Sequence, residues 1–144
     1  MAPGTDRGAP APVGTLTTGA VVVTGAAGRL GRAVVAKAHE DPAVPHVIAL
    51  DRRSMRDLPA GVERHQVDLG TADIKALVQG ATTFIHLAEA RAPKAGVDIS
   101  QPTGEVAIAG RVLDAAGDVG AEHVVLLSSA LVYGAWASNP VPLT

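Results

Sequence analysis

Cysteine is absent from the sequence. That excludes a disulfide framework, a thiolate metal site and a cysteine nucleophile, and it is compatible with the cytoplasm. Aromatic residues are scarce: Phe84, Tyr133 and Trp136 are the only ones in 144 residues. The core must be aliphatic, and stacking platforms for single-stranded nucleic acid are excluded. A basic excess is lacking too. Twelve Lys and Arg against 14 Asp and Glu give a formal net charge of −2, so nothing is left over to neutralise a nucleic-acid backbone. No run reaches the ~20 apolar residues that span a bilayer, and no apolar segment of a secretory signal follows the start. The scattered His39, His46, His65, His86 and His123 show no metal-ligand spacing and no His-Glu-x-x-His pattern, so no metal is expected.

What remains is 47% hydrophobic with 16 glycines and 10 prolines, enough for one domain with a real core. Residues 1–18, rich in Pro, Gly, Ala and Thr, read as a disordered tail, and residues 19–144 as the domain. Short β-branched runs at 20–24, 46–50, 62–67, 82–87 and 123–128 alternate with helical stretches at 30–39, 71–79 and 103–117. The middle helix is expected to open at Thr71, and the last to bury Val106, Ala109, Leu113 and Ala116. Residues 89–101 read as polar and irregular. Alternation of this kind predicts an α/β fold: a doubly wound parallel sheet of about five strands in an αβα sandwich.

The sharpest pattern is Thr24-Gly25-Ala26-Ala27-Gly28-Arg29-Leu30-Gly31, between a buried strand and an amphipathic helix. Gly25 permits the tight turn, Gly28 lets the backbone approach a pyrophosphate, and Gly31 lets the helix pack close to the sheet. The helix start then offers free N–H groups to phosphate. The alternative is a turn whose glycines serve packing only. A P-loop is excluded, because the required Lys and Ser/Thr are missing. Asp51 ends the second strand, 20 residues past Gly31, where a carboxylate can accept both hydroxyls of an adenosine ribose. That favours NAD over NADP. Arg52 and Arg53 follow, and either offset the repulsion of a 2′-phosphate or form a solvated loop. Asp68 either bonds an adenine amino group or caps the next helix. His86 reads as a core or strand-end histidine rather than a catalytic one.

With these residues in hand, the chain resembles the extended short-chain dehydrogenase/reductase family, the NAD-dependent epimerase/dehydratase group. The matching pieces are residues 24–31, Leu50-Asp51-Arg52-Arg53, Val67-Asp68-Leu69, Phe84-Ile85-His86-Leu87-Ala88, residues 112–116, and Leu127-Ser128-Ser129-Ala130-Leu131-Val132-Tyr133-Gly134. The resemblance implies a Rossmann-like fold and assigns Gly25, Ala27, Gly28, Arg29, Leu30, Gly31, Asp51, Arg52, Asp68 and Leu69 to cofactor binding. Leu87 and Ala88 would pass beside the cofactor's second ribose and phosphates. Ser129 would hydrogen-bond the reacting oxygen of a substrate; its alternative is a strand terminator. Tyr133 matches a structural tyrosine, not the catalytic base.

The resemblance further implies hydride transfer on a sugar nucleotide or a similar hydroxyl or keto substrate, by an epimerase, dehydratase or reductase, with a homodimer as the assembly. Its general acid/base is a tyrosine paired with a lysine in Tyr-x-x-x-Lys. The chain contains no such pair, and Glu105 stands where the family usually has Asn. The chain is therefore expected to be an amino-terminal Rossmann part with no turnover of its own, and to self-associate through an uncovered fifth strand. The other reading is a short non-catalytic dinucleotide-binding sensor or scaffold; a nucleotide-sugar or flavin binder would use the same turn.

Overall fold

The computed structural model describes residues 19–88 and 104–128. The expectations for the tail at 1–18, the segment 89–101, Ser129 and Tyr133 fall outside the described residues. In chain order the elements are β1 (Ala20–Thr24), α1 (Arg29–Glu40), β2 (Val47–Asp51), β3 (Glu63–Gln66), α2 (Ile74–Leu77), β4 (Ala81–His86), α3 (Gly104–Asp118) and β5 (His123–Leu126). All strands pair in parallel in the order β3-β2-β1-β4-β5. The chain builds outward from β1 on one side, then returns to place β4 on the other. The point where strand order reverses therefore lies between β1 and β4, which is where such sheets leave a crevice at their carboxyl ends.

β1 is buried along its whole length because alternate residues serve opposite faces. Val22, with Leu50 and Phe84, packs against Ile74, Val112 and Ala116 of α2 and α3. Val21 and Val23, with Ala49, pack against Val35 of α1 and against Met55 and Leu58 of the loop after β2. Phe84 is fully buried, and burying such a side chain stabilises by roughly 2–3 kcal/mol. β3 is polar (Glu-Arg-His-Gln) and half exposed at the sheet margin. At the other margin Val124, Val125 and Leu126 are between 40% and 53% exposed, so β5 is an apolar edge among the described residues.

Two expected helices differ. The expected 71–79 helix shrinks to the single turn of α2. Asp68 takes the amides of Gly70, Thr71 and Ala72, folding 68–72 into a tight turn. The helix then starts only at Asp73, whose carboxylate accepts the Ala76 amide. In α3 the buried stripe is Val112, Ala115 and Ala116, with Ile108 and Val119 packed beside it. Val106 and Leu113 are instead exposed, at 61% and 41%. Ile108, Val112, Ala115 and Val119 follow helical spacing as well as the expected set does, and they belong to the face that meets β4 and α2.

Candidate functional site

The turn after β1 is held by its own backbone. Gly25 and Ala26 donate to the Leu50 carbonyl, Gly28 donates to the Gly25 carbonyl at 2.9 Å, and Ala27 donates to Oδ2 of Asp51 at 2.9 Å. Gly25 has φ +71°, and a Cβ there would stand 2.6 Å from the Ala88 amide nitrogen. Both facts require glycine. A Cβ on Gly31 would overlap the Gly25 carbonyl oxygen, which explains a glycine inside α1 despite its cost of about 1 kcal/mol in a helix.

The internal bonds end at Gly28. It caps α1 without a side-chain bond, and Arg32 is the first helical amide with a partner, the Gly28 carbonyl at 2.9 Å. The amides of Arg29, Leu30 and Gly31 have no hydrogen-bond partner among the described residues. These three residues line a cavity of about 640 Å³ at the carboxyl ends of the strands. Unpaired donors at a helix start, with the positive end of the helix dipole behind them, are suited to an anion.

Asp51 stands across this cavity, with its side chain only 5% exposed. It is not a solvated strand-end carboxylate. Burial pushes its pKa up, but hydrogen bonds from the Arg53 guanidinium and from the amides of Arg53 and Ala27, with the guanidinium charge, outweigh it and hold the pKa below its ordinary value. Gly25, Gly28, Arg52, Asp68, Leu69, Leu87 and Ala88 line the same cavity. Ala27 lies behind it and is 5% exposed; it takes part through the bond to Asp51. Leu30 is half exposed in the cavity wall. Asp68 does not cap the next helix, because Asp73 takes that place; its Oδ1 accepts the Gly70 amide within the 68–72 turn, and the residue lines the cavity.

Two arginines contribute in ways that the sequence does not specify. Arg53 forms a forked contact with Asp51. Arg111 of α3 donates Nε to the Leu69 carbonyl at 2.9 Å and Nη2 to the Ala72 carbonyl at 2.6 Å. It clamps the loop that carries Asp68 and Leu69, across 42 residues of sequence. The only signal for it was an arginine just before the Val112–Ala116 pattern. Arg111→Met is expected to cost about 1–2 kcal/mol of stability, the worth of charged hydrogen bonds at a partly exposed site, read as a lower urea midpoint.

His86 sits at the end of β4, buried, with Nδ1 at 2.6 Å from Oγ1 of Thr24 on β1. The pair ties the two strands together just below the glycine turn. Burial lowers the pKa of His86 from its ordinary 6.5, so the neutral form is the folded one. The unfolded chain takes up a proton first as pH falls, so this contribution is complete above pH 6.5 and is lost as pH falls below it, toward the lower folded value. Urea midpoints between about pH 5 and 8 should fall on the acid side in the wild type, and the fall should be smaller in His86→Gln.

Among the described residues no group of three or more His, Asp or Glu could hold a metal, and no helix is long and apolar enough to cross a membrane. The profile of the NAD dependent epimerase/dehydratase family matches residues 21–143. The chain belongs to that family. No curated protein matches it. Among solved structures, MoeE5 in complex with UDP-glucose and NAD is similar at 27% identity and a TM-score of 0.66, over 83% of this chain and 39% of that one. A UDP-galactose 4-epimerase is similar at 29% identity and a TM-score of 0.65, over 80% and 40%. Uronate dehydrogenase from Agrobacterium tumefaciens is similar at 25% identity and a TM-score of 0.58, over 78% and 41%. The chain thus spans about two fifths of the length of these relatives.

Proposed function

We propose that this chain is the NAD-binding part of an epimerase, dehydratase or dehydrogenase that acts by hydride transfer on a nucleotide sugar or a related hydroxyl or keto substrate in the cytoplasm. One observation carries the reading: three amides at the start of α1, unpaired among the described residues, belong to residues that share a cavity with the buried carboxylate of Asp51. The cavity suits a dinucleotide, since Gly25, Gly28 and Gly31 of the glycine turn line it together with Asp51. The family and the ligands of MoeE5 support both the cofactor and the substrate class.

In this reading Arg29, Leu30 and Gly31 donate to the diphosphate, and Asp51 accepts the adenosine ribose hydroxyls. Asp68 and Leu69 border the adenine, while Leu87 and Ala88 border the second ribose and phosphates. Bound NAD would supply a hydride acceptor. Ser129 would orient the substrate oxygen. The chain has no Tyr-x-x-x-Lys pair to move the proton, so it should show no turnover with UDP-glucuronic acid and NAD. Calorimetric titration of NAD into the chain tests the binding reading. Saturable one-to-one binding is expected, and no heat of binding at about 10 mM NAD would refute it.

A further inference from the structure

Gly28 joins the glycine turn to α1, yet it brings little that could fix its own conformation. A glycine turns freely about both of its soft dihedrals. Gly28 has no side chain to cap the helix, and no acidic residue stands in the first turn. The restraint comes from Arg32, at the end of that turn. Its amide donates to the Gly28 carbonyl at 2.9 Å, and its side chain reaches back so that Nε donates to the Ala27 carbonyl at 3.1 Å. One residue therefore binds the carbonyls on both sides of Gly28. Each carbonyl is one end of a rigid peptide unit. The other end of the first is the Gly28 amide, which donates to the Gly25 carbonyl at 2.9 Å. The other end of the second is the Arg29 amide, unpaired among the described residues. The guanidinium is anchored in turn, because Nη1 pairs with the carboxylate of Asp57. Asp57 stands in the loop after β2 between the buried Met55 and Leu58. Arg64 of β3 pins that loop by donating to the Leu58 and Pro59 carbonyls at 2.8 and 2.7 Å. Neither Arg32 nor Asp57 lines the cavity.

We propose that Arg32 is a positioning residue for the cofactor's diphosphate, with Asp57 as its anchor: from outside the cavity the pair holds the backbone of residues 27–29 in the orientation that aims the amides of Arg29, Leu30 and Gly31 at the phosphates. This rests on the NAD-binding reading above. The two halves of the site meet at Ala27, whose amide donates to Asp51 and whose carbonyl takes Arg32. Donors already aimed lose less freedom when the ligand arrives, so the restraint shows in affinity. Lysine cannot stand in for Arg32, because a compact ammonium lacks the planar fork that serves a carbonyl with one nitrogen and a carboxylate with another. Asp57 gives the idea its signature. Its negative charge near an anion site opposes binding by Coulomb's law, so its removal on that ground alone would favour NAD. As the anchor of Arg32 it favours binding, and its removal must weaken NAD.

Calorimetric titration of NAD into the full chain tests this, for the wild type, Arg32→Met, Arg32→Lys, Asp57→Asn and the double variant Arg32→Met/Asp57→Asn. Each is titrated at a temperature where circular dichroism shows it folded. Arg32→Met keeps the apolar stem and should weaken NAD by about tenfold, the worth of one lost hydrogen bond. Arg32→Lys keeps the charge and should remain weaker than wild type by about threefold or more. Asp57→Asn should weaken NAD by about threefold, in keeping with an exposed ion pair. The double variant should bind no more weakly than Arg32→Met, since Asp57 acts only through Arg32. Should Arg32→Met fail to fold, Arg32→Lys and Asp57→Asn carry the same comparison. Full recovery in Arg32→Lys, unchanged or tighter binding in Asp57→Asn, or a further loss in the double variant would each overturn the proposal and leave the NAD reading standing. Lower urea midpoints with equal affinities mark a purely structural role and overturn it as well. A wild type that does not bind NAD overturns both.

Discussion

Asp51→Ala is expected to weaken NAD binding by about 30-fold or more, the equivalent of roughly 2 kcal/mol for lost charge-assisted bonds to a ribose. The fold should suffer as well. The substitution strands the buried Ala27 amide, which donates to Asp51 at 2.9 Å, and removes the acceptor for the Arg53 amide. An unsatisfied buried donor costs about 1–3 kcal/mol, so a total loss of about 2–4 kcal/mol is expected. Acid sensitivity supplies a second readout. The pKa of Asp51 is lowered from its ordinary 3.8, so its contribution is complete above that value and is lost as pH falls through the lower folded pKa. Calorimetric titration gives the affinity. Urea midpoints near neutrality and at low pH give the stability, and the variant's acid limb should be the flatter one.

Gly25→Ala should be strongly damaging for the addition of a single methyl group. The residue sits at φ +71°, which costs an L-residue roughly 1–2 kcal/mol. Its Cβ would also meet the Leu87 carbonyl carbon at 2.7 Å and the Ala88 nitrogen at 2.6 Å, all backbone. Overpacking of that kind adds about 1–3 kcal/mol. A loss of about 3 kcal/mol, or a fall of about 10 °C in Tm, is expected, together with loss of NAD binding. Gly110→Ala is the control. Among the described residues nothing stands within 4 Å of its Cβ position, it lies within α3, and alanine there should stabilise by up to about 1 kcal/mol.

Much of this site was legible because its signals are local. A β-branched run, a glycine turn and a helix follow one another within twenty residues, and Asp51 closes the next strand. Each feature is fixed by backbone requirements that a short window of sequence records. The α2 boundary was not legible, because Asp68 competes with the helix for the amides of residues 70–72, its carboxylate taking Gly70 and its main-chain carbonyl taking Thr71 and Ala72. The buried face of α3 was misjudged because two apolar stripes overlap on that helix, and only the position of the sheet chooses between them. Arg53 and Arg111 were underrated for a related reason. An arginine's role depends on where its flexible side chain ends, and Arg111 reaches carbonyls 39 and 42 residues away.

The strand order carries a consequence for biosynthesis. β1 is made first yet occupies the middle, and its neighbour β4 lies far downstream: Thr24 and His86 are separated by 62 positions. At a ribosomal rate of 5–20 residues per second, that leaves about 3–12 s during which a strand apolar on both sides has emerged without its second partner. The nascent polypeptide must be shielded over that interval, by α1 and β2 folding back early or by a chaperone. Substitutions that delay closure of the glycine turn would therefore lower the yield of soluble protein more than the equilibrium stability of the finished molecule suggests.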